Sequence, residues 1–247
     1  MDKLKEILMR NPDLDVNWKN GGEGDTALHI ACQNDRASVV SILLDHPDID
    51  VNTINSFKRS PFLVACRMGG ISCVRLLLKD SRVDLSHGGF TPLFWAASAD
   101  QIGVIKWWIA SGKEMDLGQQ GDKCADAIGV AKEKRRTEVV TLLERFKENA
   151  KDTRKAMRLE SSWYDDAAAD MFALVVFVSD ELLYVKSTPT APEARFFDIT
   201  RRLPLDLQMM LCFRLVGSGK EIISGKDSEV AFKSLAKRLL WSSFFAN

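Results

Sequence analysis

A segment of 31 to 35 residues recurs along the first part of the chain, and this repetition constrains the fold more than any other feature of the sequence. The copies open with TALHIAC, SPFLVAC, TPLFWAA and a degraded DAIGVA, which start at Thr26, Ser60, Thr91 and Asp126. Thirteen residues into each copy, a second apolar block begins at Val39, Cys73, Val104 and Val139. The two blocks predict two short helices joined by a turn. One such pair cannot bury its apolar face alone, so the copies must stack on their neighbours.

The residues around each first helix fit such a helical hairpin. The hydroxyls of Thr26 and Thr91 can cap first helices, and Pro61 and Pro92 follow the cap position, where a missing N–H costs nothing. Small residues that allow the helices to approach closely recur at Ala31, Ala65, Ala96 and Ala131. The turn between the two helices carries Asp35, Gly69, Asp100 and Arg135 in the four copies. Glycine, and next to it aspartate, best tolerates the left-handed backbone expected there.

A third landmark lies in the loop that leads to the next copy. PDLDVN from Pro12 matches PDIDVN from Pro47, and RVDL from Arg82 is a looser version. Because no first helix precedes the first of these, residues 1–17 are predicted to be the second half of an N-terminal capping repeat. The loop from Asp84 to Thr91 is shorter than its counterparts, which predicts a stunted finger.

These landmarks resemble the ankyrin repeat, which has a period near 33 and a T-P-L-H-x-A opening. The resemblance covers residues 1–147 and implies an all-α solenoid of helix pairs with short hairpin loops. It places a half repeat at 1–17 and repeats starting near 22, 56, 87 and 122. Only His29 keeps the motif histidine, which Leu63 and Phe94 replace. The resemblance implies an intracellular scaffold or adaptor that binds a partner protein on its concave face, through the loop tips and the exposed side of each first helix.

The family's variable contact positions supply the candidate protein-binding residues. On this chain they are Glu23, Gln33 and Asn34 in the first copy; Phe57, Arg59, Arg67 and Met68 in the second; Phe90 and Ser98 in the third; and Lys123, Glu133 and Lys134 in the fourth. Aromatic, Met and Arg side chains are enriched at interface centres, so we expect the anchor at Phe57, Arg59 and Arg67. In the alternative interpretation, the Phe57 ring folds over its own loop.

Four tryptophans of the repeats divide into two groups. Trp107 and Trp108 align with Leu76 and Leu77 of the second copy, and Trp95 aligns with Ile30, so we expect all three in the core. Trp18 has no such alignment, and we expect it to be a surface contact for a partner.

The repeat ends after Lys147, and residues 148–247 are predicted to form a small helical domain or a cap on the solenoid. We expect a connector helix at 151–160, later helices from Asp165 to about Tyr184, from Pro204 to Gly217 or Gly219, and from about Asp227 to Trp241, and an exposed loop at 187–193. LPLDL from Leu203 resembles the LPxEL opening of F-box motifs. That resemblance implies a ubiquitin-ligase substrate adaptor that binds a Skp1-like protein through residues 203–215. A proline in the first turn of an apolar helix gives the same string for structural reasons alone.

Composition argues against several other functions. Lys plus Arg and Asp plus Glu each number 34, so the chain has no sustained basic field for nucleic acid. Its densest apolar run, 171–178, is under half of the roughly 20 residues that a membrane span needs. The five cysteines lack metal-type spacing, which predicts free thiols and a cytoplasmic or nuclear location. With three histidines and no nucleotide-binding or hydrolase motif, we expect no enzyme, cofactor or metal site. The alternative from another class is a small enzyme activity in residues 148–247.

Overall fold

The computed structural model describes residues 2–11, 13–86, 91–118, 126–180, 192–218, 220, 222–225, 227–232 and 235–236. The regular elements in these ranges are helices, without a strand, which confirms the predicted all-α fold class. The chain divides into two compact units, Met1–Met157 and Arg158–Asn247.

The N-terminal unit contains the capping helix, four helix pairs and most of the connector helix. Its elements are α1 (Asp2–Arg10), α2 (Ala27–Gln33) with α3 (Ala37–Leu44), α4 (Pro61–Met68) with α5 (Ile71–Lys79), α6 (Pro92–Ser98) with α7 (Ile102–Ser111), α8 (Ala127–Glu133) with α9 (Thr137–Glu148), and α10 (Ala150–Glu160). Each predicted repeat therefore contains one helix pair, and the predicted half repeat contains one helix.

Every first helix begins with a side-chain cap. The cap oxygen accepts a hydrogen bond from the backbone N–H three residues later, over distances of 2.6 to 3.4 Å, at Thr26, Ser60, Thr91 and Asp126. Pro61 and Pro92 are the first helical residues, as predicted. Each such cap contributes about 1 kcal/mol, so these short helices start at defined positions.

The turns inside the helix pairs share a left-handed residue. Its φ is 46° at Asp35, 77° at Gly69, 62° at Asp100 and 58° at Arg135. A non-glycine residue is rarely found there, and its recurrence at one position shows that the fold of the repeat imposes it.

The helices form two layers. In the first-helix layer α2 packs on α4, α4 on α6 and α6 on α8, and in the second-helix layer α3 packs on α5, α5 on α7 and α7 on α9. The side chains buried within the unit include Leu28, Phe62, Leu93, Leu77, Ile105 and Leu143, together with the alanines Ala31, Ala65, Ala96 and Ala131. Burial of one large apolar side chain contributes about 1.5–3 kcal/mol, so stacking of the copies supplies the stability that a single pair lacks.

The two tryptophans of α7 differ. Trp108 is buried, packs edge to face on Phe62 at 5.0 Å and donates its indole N–H to the carbonyl of Glu114 at 3.0 Å. The core prediction is therefore confirmed for Trp108. It is wrong for Trp107, which is partly exposed beneath the Arg75 guanidinium, 4.3 Å from its ring centre. The physical reason is that α7 is turned to bury Val104, Ile105 and Trp108, which leaves position 107 at the edge.

The asparagine that ends the repeated loop motif, Asn17 or Asn52, makes two hydrogen bonds with the loop of the next copy. Asn17 donates to the carbonyl of Asp48 and accepts from the N–H of Asp50, at 2.7 and 2.8 Å. One copy later, Asn52 makes the same two bonds with Arg82 and Asp84, both at 2.8 Å. These bonds tie successive loops to each other.

The connector helix α10 packs on the repeats. The Thr153 hydroxyl donates to the carbonyl of Arg145 at 3.1 Å, and the Arg154 guanidinium donates to the carbonyl of Ile109 at 3.3 Å. The N-terminal unit extends to Met157, beyond Lys147, where the repeat pattern stops.

The C-terminal unit is built on α11 (Trp163–Ser179), α12 (Pro192–Thr200) and α13 (Leu205–Leu215), with further helical residues at 227–232. Its core includes Phe172, Val175, Cys212 and Phe213, and the Phe172 ring lies 5.7 Å from that of Phe232. The helix predicted after Pro204 is confirmed and stops at Gly217, where φ is +84°. Of the predicted loop at 187–193, residues 187–191 lie outside the described residues, and residues 192–193 begin α12, so the loop prediction is wrong there. Among the described residues, no helix has the length and apolarity to cross a membrane.

Candidate functional site

The loop between the first two copies, the second finger (residues 52–60), is held in shape by the buried side chain of Asn55. Its carboxamide oxygen accepts the backbone N–H groups of Phe57 and Arg59, both at 3.0 Å. Its amide nitrogen donates to the carboxylate of Asp25 in the preceding copy, at 2.8 Å. Asn55 thereby fixes the backbone of two predicted site residues.

His29 fastens the same finger from the first helix below it. Its Nδ1 accepts the N–H of Thr26 at 3.2 Å, and its Nε2 lies 2.9 Å from the carbonyl oxygen of Arg59. These partners assign the neutral ring with Nε2–H as donor to that carbonyl. Burial lowers the pKa of His29 from its ordinary value, which keeps the ring in that neutral form.

Four side chains of the second and third copies meet above these supports, and we call them the Trp95 cluster: Phe57, Arg59, Arg67 and Trp95. The Arg59 guanidinium lies 4.8 Å from the Phe57 ring centre and 5.6 Å from the Trp95 ring centre. The Arg67 guanidinium lies 5.1 Å from the same Trp95 ring. All three distances are within the roughly 6 Å range of cation–π attraction.

The cluster brings two positive charges together. The pKa of Arg59 is lowered, first by partial burial and then by the positive charge of Arg67, while Glu23 and Asp25 act in the opposite direction. Both guanidiniums remain cationic, since an arginine stays charged well above neutral pH. The cluster therefore presents a cationic surface backed by aromatic rings.

An apolar row continues from the cluster along the first-helix layer. Ile30, Val64 and Trp95 occupy equivalent helix positions in three successive copies; Ile30 is 45% exposed, and the other two are partly exposed. Met68, 48% exposed, ends α4 beside Arg67. The surface is thus a strip of apolar and aromatic groups with two arginines at its Trp95 end.

The prediction that Trp95 belongs to the core is wrong. In α2, the buried residues Leu28, His29, Ala31 and Cys32 turn position 30 outward, and α6 repeats this arrangement with Leu93, Ala96 and Ala97. Trp95 therefore faces outward like Ile30 and becomes the platform for both arginines. Sequence reasoning missed it as a site residue, although the helical period of the inward positions carried the signal.

The structure brings together three of the predicted binding residues, Phe57, Arg59 and Arg67, as the sequence anticipated for the anchor. Phe57 is 49% exposed, as expected for a contact residue. One side of its ring is nevertheless covered by Arg59 of its own loop, as in the alternative interpretation. The others are exposed or partly exposed but are not in the cluster: Trp18, Glu23, Gln33, Asn34, Met68, Ser98, Glu133 and Lys134. Phe90 and Lys123 lie outside the described residues. Contact with a partner stays a prediction for all of them.

Several groups of the C-terminal unit that could carry chemistry have structural roles. Both carboxylate oxygens of Asp165 accept from Lys220 at 2.7 Å. The Ser218 N–H donates to the carbonyl of Phe213 at 2.8 Å, which makes residues 216–218 a helix end. Burial raises the pKa of Cys212 to about 12, which leaves it a protonated thiol. Among the described residues, no group of three His, Cys, Asp or Glu side chains could hold a metal ion.

The F-box-like string lies at the start of α13. Leu205 is 58% exposed and Leu207 38%, and Leu215 at the far end of the helix is also exposed. The same helix buries Gln208, Cys212 and Phe213. α13 therefore has three exposed leucines.

Comparison with known proteins agrees with the repeated architecture. The sequence profile of the family described as ankyrin repeats (3 copies) matches residues 2–87 and 47–120. The chain is 33% identical over 108 residues to SMC5-SMC6 complex localization factor protein 1 from Bos taurus, which covers 42% of this chain and 10% of that protein. It is 30% identical over 76 residues to I-Kappa-B like protein C2 from Microplitis demolitor bracovirus, which covers 31% of this chain and 42% of that protein.

A third relative, the probable E3 ubiquitin-protein ligase XBOS31 from Oryza sativa subsp. japonica, is 46% identical over 54 residues, which cover 22% of this chain and 12% of that protein. The chain thus spans between 10% and 42% of the length of these relatives. Profile, relatives and stacked helix pairs together show that residues 2–120 of this chain are ankyrin repeats, which generally mediate protein–protein interaction.

Proposed function

We propose that this chain is an adaptor or scaffold that binds a partner protein on the first-helix layer of its ankyrin repeats, with the Trp95 cluster at the centre of the contact. The observation that carries the proposal is the cluster itself, in which Phe57, Arg59 and Arg67 share one solvent-reaching assembly with Trp95. Trp and Arg dominate the binding free energy of protein interfaces, and such residues cluster near the interface centre.

The Arg59 side chain already contacts other groups of the cluster. Binding costs about 0.5–1.5 kcal/mol for each flexible side chain that it immobilises. Arg59 already stacks on two rings, and its backbone is fixed by Asn55 and His29. Part of the entropic cost of binding is therefore met when the domain folds.

The test compares proteins captured by the full tagged chain and by two variants. Phe57→Ala combined with Trp95→Ala removes the aromatic part of the cluster, and Arg75→Ala combined with Trp107→Ala removes a stacked Arg–Trp pair from the second-helix layer. We expect the first variant to lose its specific partners and the second to retain them, with both variants as helical as the parent by circular dichroism. Capture of the same partners by the cluster variant would contradict the proposal.

The proposal assigns no catalytic reaction to the chain and places it in the cytoplasm or nucleus. An odd number of cysteines without metal-type spacing supports a reducing compartment. Detection of the tagged protein in fractionated cells tests that location.

A second candidate function rests on the exposed leucines at the start of α13. A ubiquitin-ligase substrate adaptor would use Leu205 and Leu207 to bind a Skp1-like protein, since an F-box-like segment must present apolar side chains at its surface. Purified Skp1-like protein would then be retained by the full chain and by Ile199→Ala, an exposed control on α12, but not by Leu205→Ala combined with Leu207→Ala. No retention by the parent chain would exclude this candidate.

A further inference from the structure

Two guanidiniums share a single indole in the Trp95 cluster, and no carboxylate forms an ion pair with either of them among the described residues. Other surface arginines of the chain are paired at close range, such as Arg82 with Asp80 at 2.7 Å and Arg202 with Asp198 at 3.0 Å. Arg67 acts on Arg59 as a repelling like charge, which shows in the lowered pKa of Arg59. An anion placed between them would relieve that repulsion.

The backbone supports hold this pair of arginines in place. The Arg59 N–H and carbonyl are bound by Asn55 and His29, and the carbonyl of Arg67 accepts from the Gln101 amide at 3.3 Å. Stacking on Trp95 then restricts where both planar guanidiniums lie. A planar guanidinium binds a carboxylate through two parallel N–H bonds, which are stronger than neutral hydrogen bonds.

We propose that the docking segment of the partner carries one aspartate or glutamate flanked by apolar side chains, with its carboxylate bound by Arg59 and Arg67. This inference rests on the proposed function and names the chemistry of its partner. The apolar side chains of the segment, on either side of its acidic residue, lie against Phe57, Ile30, Val64 and Met68 of this chain, which are exposed or partly exposed. The charge of the segment is thus complementary to the two arginines, and its apolar groups are complementary to the exposed apolar side chains of the surface.

The neighbouring acids favour a carboxylate over a phosphate group. Glu23 and Asp25 both act on Arg59 as negative charges. A phosphorylated side chain carries about −1.5 to −2 charge at neutral pH, so these two acids repel it more strongly than they repel a carboxylate of charge −1. We therefore commit to a carboxylate and make the phosphorylated segment an outcome of the test.

The probe is a set of four pools of synthetic nonapeptides with blocked termini. The central residue is fixed as Glu, Gln, Lys or phosphoserine, and the flanking positions are randomised among Leu, Ile, Phe, Met and Ser. Each pool is passed over the immobilised full chain, and retained peptides are quantified by mass spectrometry. The same selection is run on Arg59→Gln/Arg67→Gln and on the control Arg75→Gln/Lys79→Gln, which removes the same net charge from α5 in the second-helix layer.

We expect the parent chain and the control to retain about tenfold more of the Glu pool than of the Gln pool. The Arg59→Gln/Arg67→Gln variant should retain the two pools equally. The ratio should fall as salt is raised, because exposed charges are screened. Stronger retention of the phosphoserine pool would overturn the carboxylate assignment. Equal retention of the Glu and Gln pools by the parent chain, or no retention of any pool, would overturn the inference.

These outcomes remain distinct from failure of the proposed function. Capture of cellular partners that depends on Phe57 and Trp95 but not on Arg59 and Arg67 would leave the proposed binding surface intact and refute the acidic segment. Capture that depends on none of the four would refute both.

Discussion

Replacement of Asn55 by alanine should destabilise the N-terminal unit and disturb its binding surface together. The Asn55 side chain is buried and makes three hydrogen bonds, two accepted from the backbone of Phe57 and Arg59 and one donated to Asp25. Alanine removes all three. It leaves the two N–H groups and the carboxylate without this partner.

The magnitude follows from the kind of bond lost. Each neutral hydrogen bond contributes about 1 kcal/mol net, and the bond to the charged Asp25 about 1.5–3 kcal/mol. Phe57 lies at an exposed loop where water can reach its N–H, so we expect the free energy of unfolding to fall by about 3 kcal/mol rather than by the full sum. For a unit of this size, that loss corresponds to a fall in melting temperature of roughly 6–12 °C.

The assay is urea unfolding of the full chain followed by far-UV circular dichroism. Asn20→Ala is the matched control, because Asn20 holds the equivalent position in the preceding loop and its side chain accepts one bond, from the N–H of Asp25 at 3.1 Å. We expect the control to lose about 1 kcal/mol. Hydrogen exchange should also become faster at Phe57 and Arg59 in Asn55→Ala. A loss no larger than that of Asn20→Ala would refute the assignment of Asn55 as the brace of the second finger.

Three further predictions concern other residues. Burial lowers the pKa of His29 below 6.5, so its contribution to stability is complete above that pH and is lost as the pH falls toward the lowered pKa. Urea unfolding at several pH values should show this loss in the parent chain and not in His29→Gln. Equal slopes of the free energy of unfolding against pH in the two proteins would contradict it. Gly69 has φ +77°, and a Cβ there would overlap the Gln101 carboxamide, so Gly69→Ala should lower the free energy of unfolding in urea by about 1–2 kcal/mol. Gly21 has open space around it, so Gly21→Ala should change that free energy by less than about 0.5 kcal/mol. Similar losses in the two variants would refute the reasoning. The side-chain hydrogen bond with Cys73, and then burial, raise the pKa of the Cys32 thiol, and burial raises the pKa of the Cys66 and Cys212 thiols. None of the three should therefore react with a disulfide reagent at pH 8 until the chain unfolds, and rapid labelling of any of them in the native protein would be inconsistent with this.

The repeat architecture could be predicted because its signals are local and recur. A cap residue, a proline after it, an alanine and a left-handed turn residue each act within one copy, and four copies repeat the pattern. The helix at 192–200 was missed for the opposite reason. Its signal occurs once, and Pro192 at its start was counted with the loop residues before it, although proline also favours the first turn of a helix.

The tryptophans show where alignment of the copies misleads. Trp95 and Trp107 align with apolar residues, and the inference from apolar to buried was wrong for both, because Ile30 is itself exposed and Leu76 is only partly buried. What decides burial is the phase of the helix. The positions of the alanine and leucine motif residues fix that phase, so an outward position remains outward even when tryptophan occupies it.

The side-chain contacts of the site could not be derived from one copy, since they join three. Asn55 of the second copy holds Asp25 of the first, His29 of the first holds Arg59 of the second, and both arginines of the second lie on Trp95 of the third. The same contacts therefore stack the copies and shape the surface. In a solenoid whose stability is a sum of nearest-neighbour terms, strengthening or loosening one junction must change the binding surface at that junction and little elsewhere. It follows that buried residues beneath the proposed surface, such as Asn55 and His29, should affect partner affinity as strongly as many exposed residues.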